Sequence, residues 1–137
     1  MASIRNGRKQ VAALPVRKRR KGRIDVLLVT SRRKGKWIIP KGWPCRGMKD
    51  GKSAAKEARE EAGVRGKVRS RPLGSFRRKS RQGKPIKVKV FELKVEEQRK
   101  RWPERKERRR KWASPTAAAR SVSNPGLRRL LQSFQAT

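Results

Sequence analysis

Apolar positions in this chain fall into short runs whose period changes from segment to segment. "QVAALPV" (10–16) reads as a first strand, followed by the basic turn "RKRRKGR". "IDVLLVTS" (24–31) is β-branched and almost continuously apolar, the pattern of a strand buried on both faces. "WIIP" (37–40) predicts a short strand closed by proline, and "KGWPCRGMKDG" a loop. Residues 52–62 are good helix formers, with Gly63 placed to end the helix. One or two strands, broken at Pro72 and Gly74, follow. "KPIKVKVFELKV" (84–95) then alternates basic and apolar residues with period two, as a half-buried strand does. "EEQRKRWPERKERRRKW" predicts a charged loop running into a short strand at Trp112. Ser114–Pro115 and Asn124–Pro125 are helix start signals, and the second puts Leu127, Leu130, Leu131 and Phe134 on one face. Strands mixed with helices on both sides predict an α/β sandwich around one sheet.

Composition narrows the partners. Forty-three Lys and Arg against ten Asp and Glu give +33 over 137 residues, a field that attracts polyanions. Nucleic acid held through non-specific charge, a phosphorylated small molecule and an anionic surface all satisfy it. The even spread suits a natural basic protein and a chain whose acidic surface positions were replaced equally well. The 33% hydrophobic fraction would suggest disorder, but the periodic runs argue for a folded domain over 9–134, with frayed tails at 1–8 and 135–137. A lone Cys45 excludes an intrachain disulfide, and with no histidine a Cys/His zinc site is out. No apolar run reaches membrane-spanning length and the start lacks a signal-peptide core, so a cytoplasmic protein is expected. No feature specifies an oligomeric state.

Against that background, Glu57, Glu60 and Glu61 put three of the ten acidic residues within five positions. At about 100° per residue they share one arc of the helix, beside an arc of Ala54, Ala55, Ala58 and Ala62 that suits close packing on a sheet. Arg59 and Lys52 point to solvent. An i,i+4 pair such as Lys56–Glu60 would explain a solvated face. Alternatively, repelling carboxylates on adjacent turns call for a compensating cation, and Mg²⁺ or Mn²⁺ commonly bridges carboxylates to substrate phosphates.

The segment "GWPCRGMKDGKSAAKEAREEAGV" (42–64) resembles the Nudix box, G-x5-E-x7-R-E-U-x-E-E-x-G-U, where U is a bulky aliphatic residue. Gly42, Glu57, Glu60, Glu61, Gly63 and Val64 match, and Ala58 stands at the first aliphatic position. Met48 stands where the first glutamate is expected, and Lys56 replaces the arginine that braces the glutamates, keeping the charge without the planar fork. "LLVTSRRKGKWIIPKGW", "EEAGVRGKV" and "RRRKWASPTAA" are similar to the branch that hydrolyses diphosphoinositol and diadenosine polyphosphates.

This resemblance implies a Nudix α/β/α sandwich with a mixed central sheet and a Mg²⁺- or Mn²⁺-dependent hydrolase of phosphoanhydride bonds. It implies Glu57 and Glu61 as metal ligands and Glu60 as general base or further ligand, with Lys56 in the bracing position. For the substrate it suggests Arg8, Lys9, Ser31, Arg32, Lys41, Arg108, Arg109 and Arg110, each of which could equally be a solvated charge. Trp37, Trp43, Trp102 and Trp112 could stack on a base, although Trp37 and Trp112 are more ordinary as core residues, and Cys45 reads as a bystander. The alternative is a weak or inactive Nudix scaffold that binds polyanions.

Overall fold

The computed structural model describes residues 8–134; apart from Arg8, the tails expected at 1–8 and 135–137 lie outside the described residues. The elements run β1 (Lys9–Lys18), β2 (Ile24–Thr30), β3 (Trp37–Ile38), β4 (Lys41–Gly42), α1 (Asp50–Ala62), β5 (Val64–Val68), β6 (Gly74–Lys79), β7 (Pro85–Gln98), β8 (Arg110–Ala113), α2 (Pro115–Ser121) and α3 (Pro125–Ser133).

All eight strands join one mixed sheet. At its centre β1 runs parallel to β7, from Lys9 opposite Lys87 to Val16 opposite Lys94. The other edge of β1 changes partner, taking β4 at Val11 and Ala12 and β2 from Val16 to Lys18. Pro15 falls between those two stretches, so its missing N–H interrupts neither ladder. β3 and β8 pair with β2, while β5 and β6 pair with β7.

Alternation along the strands sorts side chains to two faces. Ala12, Leu14, Val16, Val26, Leu28, Ile86, Val88 and Val90 point to the side covered by α2 and α3, against Ala118, Leu127 and Leu131. Val11, Ala13, Leu27, Val29, Phe91 and Leu93 point to the side covered by α1, whose Ala54, Ala58 and Ala62 are fully buried there. Small side chains on that face let the helix lie close to the sheet, which brings its glutamates to the sheet edge.

Three boundaries differ from the pattern-based expectation. The loop expected after Pro40 contains the two-residue strand β4, too short to carry any period of its own. α1 starts at Asp50 rather than residue 52, since an acidic residue in the first turn suits the helix dipole and Asp50 also meets Lys89 Nζ at 3.0 Å. β7 runs on through "EEQ" to Gln98, because β5 supplies partners for it, Val64 opposite Gln98. Both C-terminal helices are capped as expected: Ser114 and Asn124 accept from the N–H groups of Ala117 and Leu127.

Candidate active site

The site forms where the acidic arc of α1 meets β4 and the segment leading into β8. Glu61 is 4% exposed. Its Oε1 accepts from the Lys41 backbone N–H at 3.4 Å and lies 3.7 Å from Arg108 Nη2. The Glu57 carboxylate approaches closely enough for the two to share a proton. Burial pushes the Glu61 carboxyl up to about 8; the Arg108 guanidinium pulls the other way, and the Glu57 and Glu104 carboxylates add to the rise. Glu57 is raised too, by burial first, with its bond to Glu61 and the Lys56 charge opposing.

Gly42 explains how Glu57 reaches this position. A Cβ at Gly42 would lie 2.5 Å from Glu57 Cδ and within 2.8 Å of both carboxylate oxygens, so this glycine is the space that the carboxylate occupies. Gly63 acts on the backbone: with φ +69° it ends α1, and its N–H bonds back to Ala58 and Arg59 carbonyls.

Glu60 stands apart from this pair. Its carboxylate takes the Lys56 ammonium at 3.0 Å, and that hydrogen bond is the main cause of Lys56's raised pKa. The Lys56–Glu60 ion pair and the more deeply set Glu57–Glu61 carboxylate pair therefore coexist on one helix. Among the described residues, no group of three or more Asp, Glu, Cys or His side chains is gathered for a metal. Two carboxylates needing charge compensation, with room made by Gly42, do fit one hard cation.

Arg108 is the bracing group that the sequence reading did not foresee. Its side chain is 8% exposed, with Nε on Glu104 Oε1 at 2.6 Å, Nη1 on the Thr30 carbonyl at 3.0 Å and Nη2 toward Glu61. Glu104 in turn donates its backbone N–H to the Glu60 carbonyl at 3.1 Å. The sequence signal for Glu104 was no more than a carboxylate, with Glu107, inside a run of bases.

The other expected substrate residues are dispersed. Lys41 meets Glu61 through its backbone N–H, and burial, helped by the charges of Arg78 and Arg108, lowers its side-chain pKa to about 8 against the opposing pull of Glu61 and Glu57. Arg8 and Lys9 are exposed at the start of β1. Ser31 accepts from Lys36 N–H in the turn after β2, exposed Arg32 lies 3.8 Å from Glu107, and Arg109 lies over the Trp37 ring at 5.5 Å. Arg110 is occupied behind the helix: it donates to the Ala62 and Arg99 carbonyls at 2.7 and 2.6 Å and stacks on Trp102 at 3.8 Å. Trp102 itself donates to the Glu61 carbonyl. Trp37 and Trp112 are half-buried against the two cores, and Cys45 is buried.

A sequence model described as the NUDIX domain matches residues 8–134. The chain belongs to the Nudix family. It is 36% identical to Nudix hydrolase 12, mitochondrial, of Arabidopsis thaliana, with 82% of this chain and 59% of that protein aligned. It is 35% identical to Nudix hydrolase 21, chloroplastic, of the same plant, over 93% of this chain and 66% of that protein. The chain thus spans about three fifths to two thirds of these relatives. In fold it is similar to an Ap4A hydrolase of C. elegans, with TM-score 0.71, 22% identity and coverage of 90% and 92% of the two chains. A Nudix hydrolase from Nitrosomonas europaea gives TM-score 0.71 at 18% identity, over 91% and 86%.

In Nudix terms, the box supplies Gly42, the Glu57–Glu61 carboxylate pair and the helix-ending Gly63 in one stretch of chain. Its two departures sit on the rim. Lys56 holds Glu60, and Met48 lines a surface hollow with Lys52, Ala55 and Lys56. Compartment names among the relatives differ from the cytoplasmic expectation, and no described helix is long and apolar enough to cross a membrane.

Proposed function

We propose that the chain is a divalent-metal-dependent hydrolase of phosphoanhydride bonds in nucleoside or inositol polyphosphates. The observation that carries this reading is the pair of buried Glu61 and half-buried Glu57, set against Gly42 with the Arg108 guanidinium beside Glu61. The family, and the Ap4A hydrolase named among its structural neighbours, support it.

Glu57 and Glu61 would hold the Mg²⁺ or Mn²⁺. Such an ion would supply charge neutralisation for phosphate oxygens and a more acidic attacking water. Arg108 keeps Glu61 oriented through its fixed bonds to Glu104 and Thr30. Lys41 offers an ammonium to a non-bridging phosphate oxygen. Glu60, at the rim, is the side chain to accept the proton of water as its oxygen bonds to phosphorus and the anhydride oxygen leaves.

Hydrolysis of diadenosine and diphosphoinositol polyphosphates in Mg²⁺ and in Mn²⁺ tests the proposal. Phosphate-containing products should form with the wild type and be lost in Glu60→Gln and in Glu61→Gln. Wild type and variants equally inert across such a panel would dispose of it.

A further inference from the structure

The β1–β7–β6 register places an unassigned cluster on the face opposite α1. Gln10 lies opposite Val88, and Arg78 opposite Ile86. Val88 and Ile86 both point to the α2–α3 side, so their partners point there as well. Lys41 lies opposite Ala12, another residue of that side. Three polar side chains thus reach the same face, just past the point where β4 carries Gly42 to Glu57 on the other.

One of these side chains is a guanidinium held, partly out of water, by a neutral partner. Arg78 is half-buried, and among the described residues its side chain makes a single hydrogen bond, from Nη1 to Gln10 Oε1 at 3.2 Å. Gln10 is itself only 7% exposed and so holds the guanidinium in a fixed place. Arg17, Arg32, Arg99 and Arg108 each meet a carboxylate, whereas among the described residues none pairs with Arg78. The charge of Arg78 also bears on Lys41. Two partly desolvated cations on one face of the sheet, with no carboxylate paired to Arg78 among the described residues, raise the free energy of the folded state. A bound anion reverses that, and a guanidinium fork suits phosphate oxygens.

We infer that Arg78, positioned by Gln10 beside Lys41, forms a phosphate subsite that grips the polyphosphate chain beyond the phosphorus attacked at the carboxylate pair. The inference rests on the proposed hydrolase reading for its substrate. Its geometry supplies what that reading lacks, a reason for the chain to lie across the β4 edge with one phosphate on each side. The role is one of binding and register, separate from the bond-breaking step.

Binding of inorganic tripolyphosphate to the full chain, in EDTA and at fixed salt, tests it by calorimetry. Arg78→Gln should weaken binding about tenfold, the loss of one charge-assisted bond. Arg78→Lys, which keeps the charge without the fork, should fall between. Arg77→Gln removes the same charge from an exposed neighbour on the other face of β6, and should change affinity less than about twofold. Equal losses in the Arg77 and Arg78 variants would mean that the field of the whole protein holds the ligand, and would overturn the subsite. So would unchanged binding in Arg78→Gln. Melting curves identify a variant that fails to fold, in which case Arg78→Lys decides. Because no turnover is read, a protein inert toward every polyphosphate would sink the hydrolase reading and leave this result standing on its own.

Discussion

At the residue scale, Gly42 and Glu61 make opposite demands. A methyl at Gly42 would strike the far end of a flexible side chain rather than backbone. Gly42→Ala should therefore keep folding stability within about 1 kcal/mol of wild type, while displacing the Glu57 carboxylate. Titration with Mn²⁺ should show affinity reduced about tenfold, roughly 1.4 kcal/mol. Unaltered Mn²⁺ binding would show that Glu57 holds no metal. Glu61, raised to about 8 by burial, binds its proton more tightly folded than unfolded. Stability from that proton is fully present below the ordinary carboxylate range and is lost as pH rises toward 8. Lys41, lowered to about 8 by burial, has the reverse sign: its cost eases as pH climbs from there toward the usual lysine range. In EDTA, urea unfolding should therefore give a stability minimum near pH 8. The fall on the acid side should disappear in Glu61→Gln and shrink when Mg²⁺ takes the proton's place. A wild type and Glu61→Gln that run parallel from acid to pH 8 would show that the Glu61 proton is not what is lost.

At the scale of elements, the segment between β7 and β8 turns a helix terminus into part of a site. Arg110 meets the last-turn carbonyl of Ala62, where the helix dipole favours a cation, and Trp102 covers it. Arg110→Ala should cost about 2 kcal/mol for two lost charge-assisted bonds. In a thermal melt this amounts to a fall of about 6 °C. KM should stay near wild type if this is Arg110's whole task, whereas a raised KM with unchanged melting would return it to the substrate. Such a segment shows how much was legible in sequence. β1, β2 and β7 were readable because burial on one or both faces imposes a period. β4 was not, because two residues carry none and its existence depends on β1. The carboxylate helix was readable because glutamates are scarce here and spaced for one arc. Arg108 was singled out for substrate, yet its contacts with Glu104, Thr30 and Glu61 are long-range pairings with no local signal. Arg78 and Gln10 were invisible for a related reason: in a chain with 43 basic residues, one more arginine carries no information until its half-buried place against Gln10 is seen.

At the scale of the whole molecule, charge works against the fold that positions these groups. Eight of the ten carboxylates take part in ion pairs among the described residues, so almost no acidic capacity is left to offset the remaining bases. At about 0.01 M salt the screening length is roughly 30 Å, comparable with a domain of this size, and the cations repel across the entire protein. At about 1 M it is roughly 3 Å, and only touching pairs interact. Exposed ion pairs contribute less than about 1 kcal/mol each, so relief of the general repulsion should dominate and the melting temperature should rise with added NaCl. A falling melting temperature would mean that the ion pairs outweigh the net charge. The same field should hold duplex and single-stranded oligonucleotides without sequence preference, with log affinity falling linearly against log salt. Glu60→Gln and Glu61→Gln should leave that binding intact or slightly strengthened, since each removes a negative charge. If either variant abolished oligonucleotide binding, the nucleic acid would be occupying the carboxylate site, and the general charge and the site would be one function instead of two.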